Sequence, residues 1–213
     1  MGQVSFAVAI CALVCGCSGV RLRFTPPVGA LVTISVSGTL RKGEPPTQTS
    51  VRLFVQRYTK GNPVLRLVTD KKKPEISFVV SRRMGLLRKP QQEAAESQSE
   101  ADVMEGMAFA AMVALPFTCE WLPKNRVNLG DSWTATPPSE QETSPAIRMR
   151  LAAQENELLR LEGVPAKATE PLGGIRVVRL LWDRARRVPR ILEFEGADNQ
   201  KLRYTFSFVE GAE

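Results

Sequence analysis

The tightest constraint on the fold lies near the C-terminus, where one hairpin register satisfies both faces of a strand pair at once. With the loop Gly196 to Gln200 centred on Asp198, Glu195 falls opposite Lys201 and Glu193 opposite Arg203. The same register sets Phe194 opposite Leu202 and Leu192 opposite Tyr204 on the other face. Strand side chains alternate between faces, so a one-residue slip would exchange the wet and dry sides. Exposed charge pairs contribute only a few tenths of a kcal/mol each, so Tyr204, Phe206 and Phe208 are expected to hold the register. Glutamates facing lysine and arginine on a solvent face read as surface pairs, not as an acid/base dyad.

Strand signals recur along the chain. Leu31 to Leu40 is rich in β-branched residues, and Val51 to Tyr58 alternates, with Val51, Leu53, Val55 and Arg57 on one face. Lys60 to Pro63 reads as a turn with Val64 to Thr69 returning from it, and Lys71 to Pro74 as another turn before Ile76 to Val80. Strands resume at Ile147 to Ala152, Glu157 to Leu161 and Ile175 to Trp182, with 140–146 and 163–174 as loops. Between the halves, Lys89 to Glu100 has the composition of a solvated linker. Asp102 to Leu115 predicts a helix with an acidic start, ended by Pro116. Its apolar residues run almost all round the second half, so it must pack against something. Met104, Met107 and Met112 on it suit an adaptable lid over a lipid pocket; the plainer reading is a helix plugging one face of the sheet. The expected class is mainly β: an antiparallel sheet, curved or sandwich-like, with one packed helix at about 102–115.

The N-terminus speaks to destination. Phe6 to Val14 is an uncharged apolar run, too short at ~1.5 Å per residue to cross a bilayer core of ~30 Å, so it suits a signal-peptide core. Val14-Cys15-Gly16-Cys17 resembles the lipobox of bacterial lipoproteins. That resemblance implies cleavage after Gly16 and acylation of Cys17, by chains of the palmitate class, as the new first residue. The box normally has leucine where Val14 stands, and MGQVS lacks the usual basic residue. Ordinary cleavage near Gly19 and an uncleaved anchor, using the uncharged run from Met1 to Val20, remain alternatives. The expected organisation is a signal peptide over 1–16, a β half over 17–88, linker and helix over 89–116, and a second β half over 117–213. Residues 17–213 would form one domain.

Composition excludes several chemistries. An apolar fraction of 43% and a charged fraction of 24% allow a core to form. There is no histidine, which removes the commonest general base, Ser-His and Cys-His pairs, and most catalytic zinc sets. Beyond residue 17 the only cysteine is Cys119, between Phe117 and Trp121, so neither a disulfide scaffold nor a cysteine zinc site is expected. It reads as a buried, inert thiol. No catalytic residue, cofactor or metal is expected.

Residues Leu122-Pro-Lys-Asn-Arg-Val-Asn-Leu-Gly-Asp-Ser-Trp133 resemble a segment of uncharacterised bacterial envelope lipoproteins, with Leu-Pro, a valine, then Gly-Asp-Ser/Thr-Trp. Those proteins have a β-rich half and a short methionine-rich helix before it, and a second β-rich stretch after it. The resemblance implies a class and no activity. Read physically, Gly130 suits positive φ, Asp131 bonds its own turn, Ser132 starts a strand and Trp133 anchors it. Gly-Asp-Ser as a nucleophile block would need a histidine, and the chain has none.

Arg176 to Arg190 holds six arginines and one aspartate, and the net charge is +7. A strand end and turn would gather Arg184, Arg186 and Arg187, with Arg190 beyond, either as a solvated edge that discourages aggregation or as contacts to phospholipid headgroups and other acidic envelope polymers. Export argues against nucleic acid as the partner. The expectation is a non-enzymatic envelope lipoprotein, anchored to a membrane (the outer one where the source has two) and binding a lipid or an envelope protein. A curved sheet covered by a helix resembles envelope carriers that shield acyl chains. The alternatives are a structural module docking another protein through a sheet edge, and a secreted rather than anchored form.

Overall fold

A computed structural model describes residues 19–39, 47–68, 76–92, 115–136, 146–166, 175–196 and 200–210. They form one antiparallel sheet of eleven strands: β1 (Leu31–Thr39), β2 (Thr47–Thr59), β3 (Asn62–Leu67), β4 (Ile76–Val80), β5 (Leu86–Gln92), β6 (Ser132–Ala135), β7 (Ile147–Glu155), β8 (Leu158–Pro165), β9 (Ile175–Asp183), β10 (Val188–Gly196) and β11 (Lys201–Val209). Their order is β5-β4-β3-β2-β1-β11-β10-β9-β8-β7-β6. Two meanders therefore meet where β1 pairs with β11, Leu31 opposite Val209 through Thr39 opposite Lys201. The architecture is a single open sheet.

The C-terminal hairpin has the register read from its sequence, with Glu195 opposite Lys201, Phe194 opposite Leu202, Glu193 opposite Arg203 and Leu192 opposite Tyr204. Most other strands sit where alternation predicts them, and three details differ. β5 takes in Lys89 to Gln92, which composition assigns to a linker; an edge strand tolerates Pro90 because it needs ladder partners on one side alone. β8 runs on through Gly163 to Pro165, beyond its predicted end. In β2 a register shift between Val55 and Arg57 breaks the alternation, so Val51, Leu53 and Val55 are buried while Arg57 is exposed. The helix predicted over 102–115 lies outside the described residues except for Leu115, which opens a 3-10 turn, Leu115–Phe117.

One sheet face is apolar from end to end. A row across it runs Leu151, Leu161, Leu180, Leu192, Tyr204, Val36, every one buried. Over this face lie two irregular segments. The strap 19–30 contributes Leu22 and Phe24, and 115–127 contributes Phe117, Trp121 and Leu122. Phe117 packs against Phe24 and Phe78 with ring centroids 6.1 Å apart in both cases, and Trp121 against Phe194 at 5.8 Å.

The strap also reveals curvature. Phe24 donates its N–H to the Arg82 carbonyl at 2.8 Å, and Thr25 donates to that of Arg187 at 3.3 Å. Those acceptors belong to the β4–β5 and β9–β10 turns, and β3, β2, β1 and β11 lie between β4 and β10. On a flat sheet the two would stand roughly 24 Å apart at ~4.8 Å per strand. Consecutive strap residues reach carbonyls only about 10 Å apart. The sheet is therefore strongly curled at this end.

Candidate functional site

The turns joining β2 to β3, β4 to β5, β7 to β8 and β9 to β10 all fall at the end of the sheet crossed by the strap, as do the start of β1 and the end of β11. Each is short and tied down. In the β2–β3 turn Lys60 and Gly61 both take positive φ, 50° and 78°, as a two-residue hairpin requires. The Ser81 hydroxyl accepts from the N–H groups of Arg83 and Gly85 at 3.1 and 2.9 Å, closing the β4–β5 turn. The connections 40–46, 69–75, 93–114, 137–145, 167–174 and 197–199 lie outside the described residues.

The β9–β10 turn carries the arginines singled out from sequence. Asp183, buried beneath it, accepts from the Arg186 N–H at 2.9 Å and from Arg190 Nε at 3.1 Å. Its carboxylate thereby fixes a turn in which Arg187 takes φ 57°. Arg184, Arg186 and Arg187 are brought together and exposed, whereas Arg190 is half-buried and engaged with Asp183.

The strap adds arginines that sequence reasoning missed. Arg21 and Arg23 point away from the buried Leu22 and Phe24. Partial burial, followed by repulsion from Arg21 and Arg82, holds Arg23 below the ordinary arginine range. Arg82 bonds the Gly61 carbonyl through its Nε, and its N–H meets Asn62 Oδ1 at 3.3 Å. Tyr58 donates to the Pro26 carbonyl at 2.6 Å, and burial raises its pKa against the opposing pull of Arg82. The alternation Arg-Leu-Arg-Phe over residues 21–24 was the available signal. Among the described residues none of Arg21, Arg23, Arg82, Arg184, Arg186 and Arg187 is ion-paired.

A second feature surrounds the Leu122 to Trp133 segment. Residues Pro123 to Val127 on one side and Asp131 to Thr134 on the other line an open cleft of about 650 Å³, together with the Arg83–Glu120 ion pair. Gly130 takes φ 90°, Asp131 accepts from the Asn128 N–H at 2.8 Å, and Trp133 Nε1 donates to the Trp121 carbonyl at 2.8 Å. The same segment stitches the two sheet edges together. Leu122 N–H reaches the Arg83 carbonyl at 3.2 Å beside β5, and Glu120 N–H reaches that of Thr136 at 2.8 Å beyond β6. The Asp131 carbonyl accepts from β7 and the Thr136 carbonyl points the other way. By strand alternation Ser132 and Thr134 therefore turn their backbone N–H and C=O outward into the cleft. Neither outward pair has a backbone partner among the described residues.

The outer face of the second meander is a row of alternating charge, Arg150, Glu162, Arg179, Glu193 and Arg203, each opposite the next. Arg179 bonds Glu195 at 2.7 Å, a hydrogen bond that lowers the Glu195 pKa and raises that of Arg179; Arg203 lies 3.3 Å from Glu193. These pairs set register, and the carboxylates that converge here, Glu162, Glu193 and Glu195, do so on the Arg179 guanidinium. Among the described residues no three His, Cys, Asp or Glu side chains gather to hold a metal ion. Gly16, Cys17, Met104, Met107 and Met112 lie outside the described residues, and Cys119 is buried.

No protein-family model matches the chain, and no curated protein matches it. Among solved structures it is similar to a chain of the MucA/MucB complex of Pseudomonas aeruginosa, at 14% identity and a TM-score of 0.39. The match covers 87% of this chain and 54% of that one, so this chain spans about half the length of the chain it matches.

Proposed function

We propose that this protein is a non-enzymatic, lipid-anchored module of a cell envelope that binds a lipid or a protein there. The observation that carries the reading is where the acylatable cysteine sits. Cys17 precedes by three residues Val20, whose N–H and C=O pair with Val127 at 2.7 and 3.0 Å. An acyl chain there would join the fold almost without a linker, at the strap that spans the curled sheet. The carboxylates of Glu120, Glu162, Asp183, Glu193 and Glu195 are each engaged with an arginine, which supports binding over acid/base chemistry. Where the source has two membranes, the outer one is the proposed site. Intact-mass measurement of the native protein beside a Cys17→Ser variant tests this: the reading requires loss of residues 1–16 and an added acyl mass that the variant lacks. An unmodified full-length chain would end it, and lipid extraction of the purified protein distinguishes a lipid cargo from a protein partner.

A second reading follows from the outward edge of β6. Ser132 and Thr134 offer backbone donors and acceptors to an open cleft, the arrangement by which an extended segment of another protein adds a strand. Docking through this edge is compatible with the anchor and needs no ligand in the core.

A further inference from the structure

We propose that the turn end of the sheet is the surface by which the protein lies on an anionic phospholipid membrane. Its unpaired arginines meet headgroup phosphates, and exposed apolar tips beside them enter the interface. The orientation deepens the anchored reading and rests on Cys17 being the attachment point.

Three independent observations converge on that end. The first is reach. Cys17 to Val20 can span at most ~11 Å of extended chain. That is about one Debye length at ~0.1 M salt, so charges at the strap would feel the headgroups. The second is charge. Arg21, Arg23, Arg82, Arg184, Arg186 and Arg187 all belong to the strap or to turns hydrogen-bonded to it, and none is ion-paired among the described residues. On the outer sheet face Arg150, Arg160, Arg179 and Arg203 each have a glutamate, while Arg52, Arg148 and Arg176, unpaired among the described residues, stand apart from one another and not in one cluster. Glu155, Glu157 and Glu210 share the turn end without pairing to those arginines. The third is exposed apolar surface. Val28 (59% exposed), Leu87 (43%), Leu129 (64%), Leu158 (38%) and Val209 (54%) lie in the strap, in turns, or in the strand ends next to them. Val164 is the one large exposed apolar side chain of the described residues near the opposite end. A water-facing rim has no reason to collect unpaired guanidiniums and bare aliphatic tips together, whereas a membrane interface matches both.

The test uses residues 17–213 carrying Cys17→Ser, so that no acyl chain contributes; every contact described above is made within residues 19–210. Co-sedimentation is measured with phosphatidylcholine vesicles, with and without phosphatidylglycerol, at low and high salt. Binding is expected only with phosphatidylglycerol and should weaken with salt. Arg21→Gln with Arg23→Gln should lower it on the order of 25-fold, at about five-fold per arginine. Leu129→Ser with Val209→Ser should lower it while leaving the salt dependence unchanged. Arg148→Gln with Arg176→Gln removes the same charge from the far end and should leave binding intact, with thermal unfolding checking each variant. No phosphatidylglycerol-dependent binding, or equal losses for the two arginine pairs, overturns the proposal. An unmodified Cys17 in the native protein would instead remove the anchor and leave the vesicle result standing.

Discussion

Tyr204 shows how one atom can oppose the core that holds it. The side chain is fully buried, its ring meets Phe194 edge-on at 6.0 Å, and its hydroxyl, like that of Thr25, has no hydrogen-bond partner among the described residues. A buried hydroxyl without a partner costs about 1–3 kcal/mol. Tyr204→Phe should therefore stabilise the fold by about 1 kcal/mol in urea unfolding at neutral pH. The same burial raises the phenol pKa, so the unfolded chain releases its proton first as pH climbs. Stability is fully present below the unfolded value of ~10 and is lost as pH rises above it. The variant should lose less over that alkaline range, and equal alkaline losses in both proteins would contradict the assignment. Gly163 is the reverse case, a position where a missing atom is required. A Cβ there would press on Met149 Sδ and Ile147 Cγ2, which occupy the space over it. Gly163→Ala should cost about 1–3 kcal/mol by overpacking, read as a lowered urea midpoint with an unchanged slope.

Among the elements, legibility followed context. The β10–β11 hairpin was readable because both its faces carry information: charge opposite charge and aromatic opposite aliphatic, locked by a short loop. β5 was not, because Lys89-Pro90-Gln91-Gln92 has neither alternation nor β-branched residues, and an edge position relaxes the demand for both. The β1–β11 joint left no local trace either, since its two partners come from near opposite ends of the chain. Of the candidate site, the arginine triad of the β9–β10 turn was visible as a run, while Arg190 could not be separated from it before Asp183 was seen beneath the turn. Asp183→Ala removes acceptors from the Arg186 N–H and the Arg190 guanidinium together and should cost about 1–3 kcal/mol in thermal unfolding. β6 permits a cleaner substitution. The Thr134 N–H faces the cleft rather than β7, so Thr134→Pro deletes an outward donor and spares the ladder. If a partner adds a strand there, this variant should keep its unfolding free energy within about 1 kcal/mol of the parent's and fail to retain that partner in pull-down from envelope extracts. Normal retention would dismiss the edge-docking reading.

For the whole molecule, the strap converts a curled sheet into one cooperative unit. The meanders share a single strand joint, and sheet hydrogen bonds alone would let β2 to β5 open away from β7 to β10. Phe24 and Thr25 oppose this by holding the β4–β5 turn to the β9–β10 turn, with Phe24 buried against Phe117. None of this was visible in sequence, because Arg21 to Phe24 has the alternation of a strand and yet lies across the sheet end, bonded to turns. Phe24→Ala should remove about 3–5 kcal/mol, at the upper range for a single aromatic, because the clamp loosens along with the core contact. Its more telling consequence concerns cooperativity. In the parent, tryptophan fluorescence, dominated by Trp121, Trp133 and Trp182 on the second meander's side, should unfold in step with far-ultraviolet dichroism. In Phe24→Ala the two transitions should separate, with backbone signal lost first from the unclamped first meander. Coincident transitions in the variant would mean that the β1–β11 joint and the Glu120 and Leu122 bonds to the two sheet edges couple the halves without the strap, and that the strap's role is confined to what it displays at the rim.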